Sequence, residues 1–350
     1  MVAPSSLEVE APAALDQVPL EAAGRSPWTL AGRRLLRNRI AMASLVLFLA
    51  IVAVSFAAPL YSRYVAHTDP FTSNITGTTV VDGKRVDVVQ QGGGALQLGE
   101  VPIGPTWQRN YFLGADNQGR DVMARVLYGG RASLEISIGS AVLACLLAMI
   151  AGLVSGFFGG LTDSAVSRTM DLIWAFPVFL LAISIATVLL TNGGLKVGPV
   201  RVDAGSFWIP ILIIGVIYIP YIARPVRGEV LRVREQEFVQ AAVAMGAGNR
   251  RVIFSEVLPN VAPTLIVLFP LMIATTVLTE AALSYLSIGV QAPQASWGTI
   301  IDDGQGLLYT RPLVAIAPGI MIVLTVLALN VLGDGLRDAL DPRAKRRIKA

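Results

Sequence analysis

The sequence predicts an all-α polytopic membrane protein with six transmembrane helices, and three observations carry that reading. Hydrophobic residues make up 54% of the 350 and charged residues only 15%, with a mean hydropathy of +0.62, a balance too apolar for a soluble domain. Apolar runs near 40–60, 136–158, 172–190, 207–222, 261–288 and 313–332 each approach the roughly 20 residues that a helix needs to cross a hydrocarbon core. Basic clusters then sit at Arg33, Arg34, Arg37 and Arg39 before the first run, from Arg224 to Arg251 after the fourth, and from Arg337 to Lys349 after the last. Six spans place all three clusters on one side, which the positive-inside rule makes cytoplasmic, along with both termini.

Residues 1–26 are rich in Ala and Pro, carry Glu8, Glu10, Asp16 and Glu21, and lack the basic start of a secretory signal, so they read as a disordered cytoplasmic tail. The segment 27–62 holds the first span, too long for a cleaved signal core, and it stays as an anchor. An extracytoplasmic loop follows at 63–132. Within it, Thr78 to Val89 places two short β-type runs around Asp82-Gly83, which predicts a small β-hairpin. The remaining spans occupy 133–335, with outer loops at 192–206 and 291–312 and a cytoplasmic segment at 224–259. A basic cytoplasmic tail closes the chain at 336–350. Pro177, Pro210, Pro270 and Pro318 fall inside apolar runs, where neighbouring helices satisfy the freed carbonyls. Continuous apolarity without period-two alternation argues against a β-barrel.

The sequence pI of about 9.4 does not point to nucleic acid, because the basic residues flank spans instead of gathering on one soluble face. Cys145 is the only cysteine, so no intrachain disulfide forms, and it is expected to pack as a small apolar residue. His67 stands alone in a loop, which disfavours a metal or catalytic role. The glycine runs at 92–94 and 193–194 lack the lysine and setting of a phosphate loop, and no nucleophile–base or metal constellation appears. The chain is therefore not expected to be an enzyme, and it binds no cofactor in this reading.

The most informative segment is the polar island between the fourth and fifth spans. Arg232 to Met245 has helical composition, with Val230, Val233, Phe238, Ala241 and Met245 spaced to share one face. Gly246 and Gly248 end that helix, and a second is expected from Asn249, as its cap, to near Pro259. Ala241 and Ala242 are small enough to let another backbone approach. Physics alone leaves two readings open with equal weight, docking to a soluble protein or lying on lipid headgroups. Glu280, the one acid well inside an apolar run, also has two. It pairs with a basic group at the helix end and holds the bundle, or it faces the pathway and meets a substrate amine, and pairing is the plainer reading. Asp163, Arg168 and Asp171 are expected as a solvated ion-pair cluster in the inner loop after the second span.

Gln240-Ala-Ala, Gly246 and Leu258-Pro259 follow the spacing of the EAA loop of ABC importer permeases. The stretches Leu113 to Val122, Tyr128 to Leu134, Tyr221 to Gly228, Leu283 to Gln291 with Ser296-Trp-Gly298, and Asn330 to Arg343 resemble the C-type subunits of dipeptide and oligopeptide importers. That resemblance implies a type I ABC importer-like permease in a bacterial or archaeal plasma membrane. It implies that Glu237, Gln240, Ala241, Ala242, Gly246, Leu258 and Pro259 form an ATPase-coupling loop. It implies a homologous permease as heterodimer partner, two cytoplasmic ATPase subunits holding ATP and Mg, and an extracytoplasmic binding protein that delivers di- or oligopeptides. The loops at 113–134 and 291–312 are then expected to meet the partner permease or the binding protein. One departure is that Gln240 stands where the family has Glu, although Glu237 lies one turn earlier. The insertion at 70–110 is absent from shorter members. Nickel complexes, opines and some sugars remain alternative substrates. A secondary transporter is the rival class, and it would show an internal repeat or discontinuous helices with midplane charges, which the sequence does not.

Overall fold

The computed structural model describes residues 27–91 and 99–340. The predicted tail at 1–26, Gly92 to Gly94 and residues 341–350 of the basic tail lie outside that range. Helices α1 (Pro27–Arg37) and α2 (Arg39–Phe56) meet at Asn38, whose side-chain oxygen accepts from the Ile40 and Ala41 amides at 3.2 and 3.1 Å and so caps α2. A short α3 (Ala58–Tyr61) and a π-helical turn at Ser62–Ala66 end on His67, in the left-handed conformation.

The insertion folds as two hairpins. Strands β1 (Thr78–Val81) and β2 (Lys84–Asp87) pair antiparallel around Asp82 and Gly83, at φ 52° and 78°. Positive φ at both turn residues gives the primed turn that the Asp-Gly pair favours. Strands β3 (Val89–Gln91) and β4 (Glu100–Pro102) form a second pair, and Val88, Ile103, Tyr111 and Ala115 make a small core beneath them. Asp121 ties this unit to the bundle, accepting from the Tyr111 amide at 2.9 Å, the Thr68 hydroxyl at 3.2 Å and the Ala124 amide at 3.1 Å. The last of these caps α4 (Val122–Phe158). Burial pushes the Asp121 carboxyl above the usual carboxylate range, against the pull of those donors.

Helix α4 begins at Val122 instead of the expected core boundary at 133, and its 37 residues extend roughly 55 Å, well beyond a hydrocarbon core. The third and fourth spans are not single straight helices. Helices α5 (Gly160–Trp174) and α6 (Val178–Thr191) diverge by 86°, and α7 (Trp208–Ile217) and α8 (Ile219–Arg234) by 44°. Pro177 restricts Phe176 away from helical geometry, and Pro220 removes a backbone donor at the start of α8. Among the described residues, four helices are long and apolar enough to cross a membrane, or six segments if each bent pair is one span. The loop at 192–206 holds a hairpin of β5 (Gly194–Val197) and β6 (Val200–Asp203). Window-averaged hydropathy does not reveal either bend.

Beyond α8 come α9 (Glu237–Ala244), α10 (Asn249–Arg251), α11 (Leu258–Tyr285), α12 (Trp297–Gln305) and α13 (Leu313–Leu340). Helix α12 occupies an expected loop. Its start is a capping box in which Ser296 Oγ accepts from the Thr299 amide and Thr299 Oγ1 accepts from the Ser296 amide. Asp163, Arg168 and Asp171 lie on α5, not in a loop, and the acids pair across to α8: Asp163 with Arg227 through two bonds of 2.6 Å, and Asp171 with Arg224 at 2.7 Å. Arg168 belongs to neither pair.

Helix α4 is central, packing against α2, α7, α8 and α11. Cys145 is buried in its core face. Against α8 the backbones come very close, because a Cβ on Gly152 would lie 2.5 Å from Val226 Cγ1 and one on Gly156 2.8 Å from Val230 Cβ. This small-x-x-x-small spacing admits the two valines, both fully buried. Replacing Gly156 with Val is expected to lower stability by about 1–3 kcal/mol through overpacking, seen as a lower melting point of detergent-purified protein. Unchanged melting would show that this contact does not hold the two helices.

Candidate functional site

The polar island of the sequence becomes a compact corner at one end of the bundle, opposite the insertion. Helix α8 delivers the chain to it, and Arg234 at its end donates to the carbonyl of Phe157 at 2.9 Å, satisfying an open acceptor at the end of α4. The predicted helix from Arg232 to Met245 is interrupted at Glu235-Gln236, with Gln236 extended at the start of α9. Glu237 lies in the first turn of α9, where a carboxylate is favoured by the helix dipole. Gln240 is exposed and its amide donates to the Glu235 carbonyl at 3.2 Å, so it closes the α8–α9 turn locally.

Gly246 ends α9 at φ 86°. Its amide bonds to the Val243 carbonyl at 2.9 Å and the Ala247 amide to the Ala242 carbonyl at 3.1 Å, the paired bonds of a Schellman motif. The second helix does not stop at Pro259. From Asn249 the chain runs through a π-helical turn (Val252–Val257) directly into α11, a continuous helical segment of 37 residues. Pro259 lacks a donor, and the wider turn just before it absorbs that loss. The cap position belongs to Gly248, and Asn249 is the first helical residue.

The expected single face divides in two. Val230, Val233 and Val239 turn inward into the core that also holds Val252 and Val257, and Ala242 is buried beside them in sequence. Phe238, Ala241, Val243 and Met245 turn outward, with Met245 82% exposed, and Phe254 of the π turn joins them at 64%. Ala241 and Ala242, read together as an approach surface, therefore differ: Ala241 faces out and Ala242 packs inside. Leu258 is half-buried against the core and Pro259 is exposed. An apolar patch held on a rigid corner, with Glu237 and Gln240 beside it, is suited to a groove on another protein.

Glu280, on α11, is fully buried. Its Oε1 accepts from Ser284 at 2.7 Å, and Oε2 has no hydrogen-bond partner. The expected basic partner is absent among the described residues. The hydroxyls of Ser133 and Ser296 stand beside the carboxyl, and each accepts from a backbone amide, that of Trp297 and Thr299 respectively, which leaves its own O–H available as a donor. Glu280 thus sits where α4, α11 and the start of α12 converge. A buried ring of charges that sequence reasoning missed lies at the insertion end. Arg120 bonds Asp116 at 2.7 Å and Asp303 at 2.9 Å, and Arg125 bonds Asp303 at 2.6 Å with Asp116 at 3.3 Å. It clamps α12 onto the start of α4.

Residues 146–346 match the family described as binding-protein-dependent transport system inner membrane component, and residues 26–75 match the N-terminal TM domain of oligopeptide transport permease C. The dipeptide transport system permease protein DppC of Alkalihalophilus pseudofirmus is 34% identical, over 91% of each chain. The oligopeptide transport system permease protein OppC of Bacillus subtilis is 34% identical over 92% of this chain and 91% of its own. The glutathione transport system permease protein GsiD of Pectobacterium atrosepticum is 32% identical over 92% and 93%. A solved inward facing conformation of the MetNI methionine ABC transporter shares the fold with a TM-score of 0.51 at 18% identity, over 63% of this chain and 98% of that one.

Because a Cβ at Gly246 would meet nothing within 4 Å, Gly246→Ala is expected to cost only the left-handed backbone, about 1–2 kcal/mol. Hydrogen exchange should speed up at the Met245, Gly246 and Ala247 amides while α11 stays protected. Equal loosening of α11 would contradict the local nature of this corner.

Proposed function

The chain belongs to the family of binding-protein-dependent transport system inner membrane components, and we propose that it is the membrane-spanning permease subunit of an ATP-driven importer of di- and oligopeptides. The observation that carries the reading is the outward apolar face of α9, fixed between the end of α8 and the Gly246 corner. Such a face seats in a groove of a cytoplasmic ATPase subunit and transmits motion, because it is anchored at both ends. The basic residues around it, Arg232, Arg234, Arg250 and Arg251, support a cytoplasmic side for that end. The insertion end and α12 then face the binding protein outside. A homologous permease completes the pathway, and two ATPase subunits supply the ATP and Mg sites.

Force follows the packed elements. When the ATPases close, α9 moves with them, α8 follows, and the Gly152 and Gly156 contacts carry the displacement into α4. Near-complete switching between inward-facing and outward-facing states takes a differential of roughly 5.5 kcal/mol. A flexible hook would dissipate that work, whereas a helix with a Schellman cap and a buried inner face does not. The resident Gln240 serves this reading through shape, since its side chain is spent on the Glu235 carbonyl.

Two substitutions test the assignment. Ala241→Trp, on the outward face, is expected to leave the protein folded in the membrane and reduce ATP-driven peptide uptake at least tenfold with loss of co-purifying ATPase subunits. Ala242→Trp is expected instead to lower thermal stability, because that side chain is inside. Normal uptake by the Ala241 variant, or uptake driven by an ion gradient without ATP, would overturn the coupling role.

A further inference from the structure

At the insertion end, four separate segments enclose a cleft of about 370 Å³. Phe71 comes from the insertion, Tyr128, Arg131 and Glu135 from α4, Phe207 from the turn before α7, and Gln294 from the loop before α12. Phe71 and Tyr128 meet edge to face with centroids 5.0 Å apart, so the insertion builds one aromatic wall. On the floor, Arg131 Nε donates to Glu135 Oε1 at 2.8 Å, with the side chains 44% and 32% exposed. Glu135 is the last charge before the uncharged run from Ile136 to Phe158. The pair therefore stands at the edge of the hydrocarbon layer, where charges mark substrate paths or partner contacts.

We infer that this cleft is a reception site for short peptides with both termini free, Arg131 taking the carboxylate and Glu135 the ammonium group. The inference rests on the peptide-importer reading and specifies where that substrate is first held. In the empty cleft the two charges neutralise each other. A zwitterionic ligand replaces both partners at once, so neither charge is left unpaired between the aromatic walls. A ligand blocked at one end meets only one of them and forgoes the second charge-assisted bond. Two extended residues span roughly 7 Å, within reach of charges one helical turn apart on flexible side chains. Guanidinium geometry favours the carboxylate, and the rings of Tyr128 and Phe207 accept apolar side chains without specifying them. The arrangement selects termini and tolerates side chains, as a transporter of varied short peptides requires.

The test uses the complete transporter complex, trapped with ATP and vanadate and free of binding protein, with radiolabelled dialanine as probe and its N-acetyl and C-amide derivatives as competitors. Wild type is expected to bind dialanine and to discriminate against each blocked form about tenfold, which is 1.4 kcal/mol. Arg131→Gln should lose discrimination against the amide alone, and Glu135→Gln against the acetyl form alone. Gel filtration of both complexes checks assembly, and the charge-conserving Arg131→Lys variant should retain discrimination. If both variants keep wild-type discrimination, weaken all three ligands alike, or if the wild-type complex binds no dialanine while transporting it, the inference is wrong. Failure of wild type to take up any peptide with its binding protein and ATP would instead remove the underlying functional reading.

Discussion

The close approach of α4 and α8 is the contact on which the rest of the structure depends. Glycines at 152 and 156 leave the space that Val226 and Val230 occupy, and any added carbon there would overlap the facing side chain. Between helices in lipid, such packing is the main attraction, because the surrounding tails are as apolar as the side chains. The same helix pair is fastened at its end by Arg234 on the Phe157 carbonyl and, through α5, by the Asp163–Arg227 pair. Displacing α8 without α4 therefore breaks packing, a helix cap and an ion pair together. A corner carried on α8 moves as part of the bundle.

At the opposite end the fastening is ionic instead of steric. Asp116, Arg120 and Arg125 are buried and Asp303 is largely so, and each acid pairs with both guanidinium groups, while Nε and Nη1 of Arg125 have no hydrogen-bond partner. Taking any one away would leave a buried charge uncompensated, so the ring is a costly arrangement to break even though its net stabilisation is small. It positions α12, and Glu280 with its serines positions the start of α12 from beneath. Gly298 reinforces this, since a Cβ there would lie 2.2 Å from the Ala281 carbonyl oxygen. The two ends of the molecule thus differ in kind, one offering an apolar surface outward and the other holding its polar groups inward.

What the residues by themselves determined is what depends on neighbours along the chain. Apolar length marked the spans, Asp82-Gly83 set a hairpin, and the basic clusters supplied an expected sidedness. The spacing from Gln240 to Pro259 carried the resemblance to the EAA loop, and Gly246 marked its turn. What only the tertiary structure decided depends on distant partners. Helical spacing cannot say that Val239 and Ala242 are buried while Ala241 and Met245 face out, because the core that Val239 joins includes Val252 and Val257, beyond the turn. Hydropathy averaged over a window hides the breaks at Pro177 and Pro220. Glu280 looked in need of a cation, and its neighbour proved to be a hydroxyl one turn along the same helix. The ring joining Arg120 to Asp303 closes over 183 residues, a separation at which no local pattern carries information. Even so, the start of α12 was readable in principle, because Ser296 and Thr299 have the spacing of a capping box, a signal that belongs to neighbours after all.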